Sequence, residues 1–149
     1  MKNISVIGAG TMGNGIAHVF AQFGYNVVLN DLRDDLIEKG LKTIGGNIDR
    51  QIKKGTLTEA DKARILQGIS RSTDLRAAVA KADLVVEAAT ENREIKMEIF
   101  RAIAAAAPPA AILASNTSSI SITEIAAVTG RANRVIGRHV INPVPVMKL

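Results

Sequence analysis

Short apolar runs and longer amphipathic stretches take turns along this sequence. NISVIGAG, from Asn3, is an apolar run closed by glycines and predicts a first strand. From Thr11 the spacing becomes helical, with Ile16, Val19, Phe20 and Phe23 on one face and Gly24 placed to stop it. NVVLND, from Asn26, predicts a second strand. From Leu32 to about Gln67 the pattern is polar and helical, with a stripe through Leu36, Ile37, Leu41, Ile44, Ile48 and Ile52. Gly55 breaks that stripe, and Thr58 with Asp61 opens the next helix as a capping box. ISRSTD is a weak third strand and ADLVVEAA a strong fourth. Asn92 to about Ala107 reads as a helix ended by Pro108 and Pro109. AAILASNT predicts a fifth strand, Ser121 and Glu124 cap a short helix in SITEIAAVTG, and RVIGRHV predicts a sixth strand.

Apolar strands alternating with helices imply an α/β fold with a mainly parallel sheet covered on both faces, a doubly wound arrangement. The stretch from Leu32 to Gln67 is too long for an ordinary crossover. It predicts a protruding antiparallel pair of helices inserted after the second strand. Ligands in such sheets bind at the carboxyl ends of the strands. The candidate positions are therefore Gly8 to Gly13, Asp31, Ala88 to Glu91, Ser115 to Ser119, and His139 to Pro143.

Composition narrows this picture slightly. The chain has 149 residues, enough for one domain with a real core. It has no cysteine, which excludes disulfides and thiolate metal sites, and no metal site is expected. No apolar stretch reaches membrane-spanning length, and the first strand starts beside Met1, so a cytoplasmic protein without membrane association is expected. The net charge of +5 suits an anionic ligand or a solvated basic surface. Aromatic residues are 3% with no Trp, too few for base-stacking platforms, so nucleic acid is not an expected partner.

Gly8-Ala9-Gly10-Thr11-Met12-Gly13 has the G-x-G-x-x-G spacing between a strand and a helix. Gly8 permits a tight turn, Gly10 lets a pyrophosphate approach the backbone, and Gly13 lets helix and strand pack closely. The helix N-terminus offers free N–H groups to a phosphate. Asp31 ends the second strand at the distance expected of a residue that accepts hydrogen bonds from an adenosine ribose and repels a 2′-phosphate. That favours NAD over NADP. Arg33 would favour NADP but is read as surface. A structural glycine turn with an Asp helix cap is the plainer alternative.

The later motifs carry a more specific likeness. SNTSS, EAATEN followed by Lys96, and HVINPVP from His139 together resemble the NAD-dependent 3-hydroxyacyl-CoA dehydrogenases, in particular the bacterial 3-hydroxybutyryl-CoA type. The likeness runs from Asn3 to Leu149 and covers that family's N-terminal, Rossmann-type domain. The resemblance implies NAD as cofactor, an acyl-CoA as substrate, and oxidation of a 3-hydroxyacyl-CoA to the 3-oxoacyl-CoA. It implies His139 as the catalytic base, Ser118 as a hydrogen-bond partner of the substrate oxygen, and Asn142 beside the nicotinamide. Glu91 and Lys96 are implied as cofactor contacts, with Ala88 and Asn116 lining the cofactor groove. Asn47 and Lys54 match positions that contact the nucleotide part of coenzyme A. From Arg33 to Arg71 there are nine Lys or Arg and six Asp or Glu, a net +3. Plainer alternatives stand beside these: SNTSS as a helix-capping turn, Glu91 and Lys96 as a surface pair, and the basic helices as a solvated face.

Two departures bear on the resemblance. Val140 and Ile141 stand where the family has two phenylalanines. The family's glutamate twelve positions after the histidine would fall two positions beyond Leu149. The chain is therefore expected to be a trimmed or redesigned domain spanning residues 1–149, without the family's helical C-terminal domain. It is expected to bind NAD with little turnover. The face that meets that second domain is expected to be apolar, which favours a homo-oligomer through it.

Overall fold

A computed structural model describes residues 1–137, and His139 and Asn142 lie outside the described residues. Among the described residues six strands form one sheet: β1 (Asn3–Ile7), β2 (Asn26–Asn30), β3 (Ile69–Ser72), β4 (Leu84–Glu87), β5 (Ile112–Ser115) and β6 (Val135–Gly137). Their order is β3-β2-β1-β4-β5-β6, and every pairing is parallel. The chain winds outward on one side of β1, returns, and winds outward on the other. The strand order therefore reverses between β1 and β4, which opens a crevice at their carboxyl ends.

Alternating strand residues supply the two faces. Ile4, Val6, Val27, Leu29, Val86 and Ala114 enter one buried cluster, while Ile7, Val85 and Leu113 enter the other. α1 (Thr11–Gln22), α2 (Asp34–Lys53) and α3 (Glu59–Gln67) cover the first face. α4 (Leu75–Val79), α5 (Arg93–Ala106) and α6 (Ile122–Thr129) cover the second. This two-sided cover is why the strands read as nearly unbroken apolar runs.

The inserted helical pair is less free-standing than its length suggests. Ile37, Ile44 and Ile48 of α2 and Ile65 of α3 are fully buried in the same cluster as β1 and β2. The stripe that predicts the helices also requires them to lie down on the sheet side. Thr58 accepts from the Asp61 amide at 3.1 Å and its own amide donates to Asp61 at 2.9 Å, so the expected capping box forms. Short α4 was not expected from the apolar pattern. Its signal is Asp74, whose Oδ1 accepts from the Arg76 and Ala77 amides at 3.0 and 3.3 Å.

Candidate functional site

The glycine turn sits where three strand ends meet. The Gly8 amide donates to Asn30 O at 2.8 Å, and the Ala88 amide donates to Ile7 O at 2.8 Å. Gly8 has a φ of +105°, in the region that favours glycine. A Cβ there would also lie 2.7 Å from Ala88 O and from Ala89 Cα. At Gly13 a Cβ would lie 1.7 Å from Gly8 O, so α1 can start this close to β1 only without a side chain. Around Gly10 the result is opposite: among the described residues nothing lies within 4 Å of its ideal Cβ. The turn is crowded on its protein side and open at the one glycine whose backbone is expected to meet a ligand.

The start of α1 completes an anion cradle. Gly10 is its N-cap without a side-chain cap, and no acidic residue stands in the first turn. The amide N–H groups there meet no anionic side chain of their own helix. Asn14 fastens the turn, donating from both its backbone N and its Nδ2 to Gly10 O at 2.9 and 2.7 Å.

Asp31 is tied to this turn at both oxygens. Ala9 N donates to Oδ2 at 2.8 Å and Leu32 N donates to Oδ1 at 2.7 Å. An open cleft of about 230 Å³ lies beside it, lined by Gly10, Thr11, Asp31, Leu36, Lys39 and Thr43 among others. Lys39 and Thr43 are not singled out by the sequence, and Leu36 is read there only as part of the apolar stripe, not as cleft lining. Their spacing of three and four residues, which puts them on one side of α2, was the available signal. Gly40 lets α2 approach, since a Cβ there would be 2.8 Å from Ala9 O. Arg71 holds the start of α2 to β3, reaching Asp34 and Glu38 at 2.8 Å each, and these carboxylates raise its pKa. Arg33 pairs with Asp35 at 3.2 Å on the surface.

Across the switch point, one carboxylate organises the strand ends. Glu87 is fully buried, and its Oε1 accepts from Lys96 and, at 3.0 Å, from Ser115 Oγ. Its Oε2 accepts from the Ala89 and Thr90 amides at 2.9 and 3.3 Å. Lys96 is fully buried as well, so it does not form a surface pair with Glu91: its partners are Glu87 and Ser115. Sequence reading names Ser115 only as one of the positions after the fifth strand and quotes Glu87 only as the first residue of EAATEN, with no role for either. They are the polar last residues of two apolar strands, and only the register that sets Glu87 opposite Ser115 brings them together.

Glu91 bridges the two loops above this cluster. Its Oε2 accepts from Thr117 Oγ1 at 3.0 Å and from Ser119 Oγ at 2.7 Å. Ser118 stands exposed between those two residues, and Ala88 and Asn116 are half-buried at the strand ends. The structure thus gathers Gly8, Gly10, Gly13 and Asp31 on one side of the switch point, and Ala88, Glu91, Asn116 and Ser118 at the ends of β4 and β5. Thr11 is exposed and Met12 packs partly on the first-face core. Asn47 and Lys54 lie further along α2 and at its C-terminal end, where Asn47 Oδ1 accepts from Arg50 at 2.7 Å and Lys54 is exposed. Among the described residues there is no cluster of three or more metal-ligating side chains, and no helix is long and apolar enough to cross a membrane.

The sequence matches the family described as 3-hydroxyacyl-CoA dehydrogenase, NAD binding domain, over residues 3–149. It is 50% identical to a 3-hydroxybutyryl-CoA dehydrogenase of Bradyrhizobium diazoefficiens, over all of this chain and 50% of that protein. It is 48% identical to a probable 3-hydroxybutyryl-CoA dehydrogenase of Bacillus subtilis, over all of this chain and 52% of that protein. The fold superposes on the crystal structure of (S)-3-hydroxybutyryl-CoA dehydrogenase from Ralstonia eutropha with a TM-score of 0.95 and 51% identity. That match covers 99% of this chain and 52% of the other. The chain spans about half the length of the curated relatives it matches.

Proposed function

The chain belongs to the 3-hydroxyacyl-CoA dehydrogenase family as its NAD-binding domain, and we propose on that premise that it serves the oxidation of an (S)-3-hydroxyacyl-CoA, with 3-hydroxybutyryl-CoA as the favoured substrate. The observation that carries the cofactor side is the glycine turn at the switch point, which among the described residues is open at Gly10, crowded at Gly8 and Gly13, and fastened to Asp31. The residues fit the cofactor: amides at the start of α1 suit a pyrophosphate, and a carboxylate held at the end of β2 suits ribose hydroxyls.

NAD, when bound, supplies the acceptor for the hydride that leaves the alcohol carbon. This chain's own residues do the rest. His139 takes the hydroxyl proton, since a neutral imidazole is a suitable base near neutral pH. Ser118 and Asn142 donate hydrogen bonds to the developing oxyanion. Glu91, Ala88, Asn116 and Lys96 hold the loops and the groove on the nicotinamide side. Asn47 and Lys54 meet the nucleotide part of coenzyme A, in keeping with the basic balance of the helical pair. Because the chain spans about half of its relatives, these 149 residues by themselves bind NAD with little turnover.

Calorimetric titration with NAD, NADP and acetoacetyl-CoA tests this directly. NAD should bind at least about tenfold more tightly than NADP, and Asp31→Ala should weaken NAD by about tenfold or more, as loss of a charge-assisted hydrogen-bond site implies. Equal affinity for both dinucleotides would overturn the cofactor assignment. NADH production from 3-hydroxybutyryl-CoA, compared between these residues and a protein extended to the relatives' length, tests the catalytic half. His139→Gln should abolish activity in the longer protein, and turnover of the short chain within about tenfold of it would refute the low-turnover reading.

A further inference from the structure

The lining of the cleft beside Asp31 includes a lysine that the cofactor reading leaves without a role. Lys39 lines it together with Gly10, Thr11, Asp31 and Thr43. Its position is set by its neighbour, because Gly40 brings α2 against Ala9 O with no room for a side chain between them. Thr43 Oγ1 donates to Lys39 O at 3.1 Å, one turn further along. Among the described residues the Lys39 ammonium forms no ion pair. The carboxylates around the start of α2 are taken by others: Asp35 by Arg33, and Asp34 and Glu38 by Arg71.

Asp31, by contrast, is held at both oxygens by backbone amides. It is a fixed negative charge that cannot turn away from a second anion. Specificity against a ligand is often built from such a repulsive element.

We propose that Lys39 is a specificity residue of the cofactor site, and that Asp31 and Lys39 together set the preference between a free ribose 2′-hydroxyl and a 2′-phosphate. This rests on the dinucleotide reading of the cleft. With Asp31 charged, Lys39 compensates it and the cleft has no surplus positive charge for a phosphate carrying about two negative charges. Without the Asp31 charge, the Lys39 ammonium on the cleft wall becomes a ligand for that phosphate. Arg33, the residue that sequence alone offers for that role, is engaged by Asp35.

The test is a double-variant cycle read by NAD and NADP titration of the chain as it stands. Asp31→Asn keeps the size and one acceptor oxygen, and should shift the NADP-to-NAD affinity ratio toward NADP by about tenfold or more. Lys39→Met in that background should remove about fivefold or more of the NADP affinity while moving NAD by less than about threefold. The NADP affinity of Asp31→Asn should fall steeply with added salt, and that of the double variant should not. Undiminished NADP binding by the double variant overturns the proposal, as does a Lys39→Met effect equal for both dinucleotides. Should Asp31→Asn fail to fold, the exposed Lys39 series in the unmutated chain gives the same reading by competition. NADP affinity should then fall in the order Lys39→Arg, unmutated, Lys39→Met, Lys39→Glu, with NAD nearly level, and a flat NADP series overturns the proposal. No NAD binding by the unmutated chain would instead remove the dinucleotide reading, and this proposal with it.

Discussion

At the end of β1 the chain closes up because side chains are missing, and at the end of β4 it closes up because they converge. Gly8, Gly13 and Gly40 each stand where a Cβ would lie within 2.8 Å of a backbone atom. Across the switch point, Lys96, Ser115 and the amides of Ala89 and Thr90 all reach the buried carboxylate of Glu87. The first region is therefore sensitive to volume and the second to charge. Steric exclusion rises steeply with each tenth of an ångström, whereas an unpaired buried charge is costly even when every volume is conserved.

The sharpest way to break that contrast is to add one carbon. Gly13→Ala puts a Cβ within 1.7 Å of Gly8 O and should cost more than about 4 kcal/mol, enough to lose the folded state or the turn. Gly10→Ala is its control. With open space around it, its unfolding free energy should stay within about 0.5 kcal/mol, while its NAD affinity should fall by about tenfold because the methyl enters the ligand's space. Urea unfolding and NAD titration of the two variants separate packing from binding. Equal stability of both would show that the turn is not volume-limited.

On the other side the change is in charge. Lys96→Met leaves Glu87 buried without its cation and should destabilise by about 3–5 kcal/mol. The pair Glu87→Gln with Lys96→Met should cost less than Lys96→Met alone, because no uncompensated charge remains. Urea midpoints at constant slope measure this. Additive losses in the double variant would show that the two side chains do not act as a unit.

The smallest effect is in α1, the helix that begins at the glycine turn. His18 is fully buried, with Nε2 against Gln22 Oε1 at 3.1 Å and Nδ1 without a partner among the described residues. Burial pushes its pKa below the usual 6.5, while the Gln22 contact works in the opposite direction. The folded state thus favours neutral imidazole, and the unfolded chain binds the proton first as pH falls. Stability from this residue is present above about pH 6.5 and is lost as pH drops below it toward the lowered folded value. Unfolding measured from about pH 8 to about pH 5 should show that decline, and His18→Gln should flatten it. A decline of the same size in the variant would assign it to other groups.

Much of this architecture is legible in the order of residues. The glycine turn, the capping box at Thr58 and Asp61, the stop at Gly24 and the six strand runs follow from local rules: periodicity, capping and turn chemistry. Asp31 is legible because its distance from the turn is a matter of chain length along one β-α-β unit. α4 is not, because five residues, Leu75–Val79, carry too little periodicity. What only the tertiary structure decides is which distant residues share a volume. Lys96 reads by resemblance as a cofactor contact, or more plainly as half of a surface pair with Glu91, yet the register of β4 against β5 sets Glu87 beside Ser115 and gives its ammonium a buried partner. Lys39 reads as one charge among many on a polar helix, yet Gly40 against Ala9 O lays that helix beside Asp31. Local patterns are set by bonded neighbours and recur wherever the same residues do. These contacts join residues far apart in the chain, and their free energy exists only once the sheet has brought them within reach.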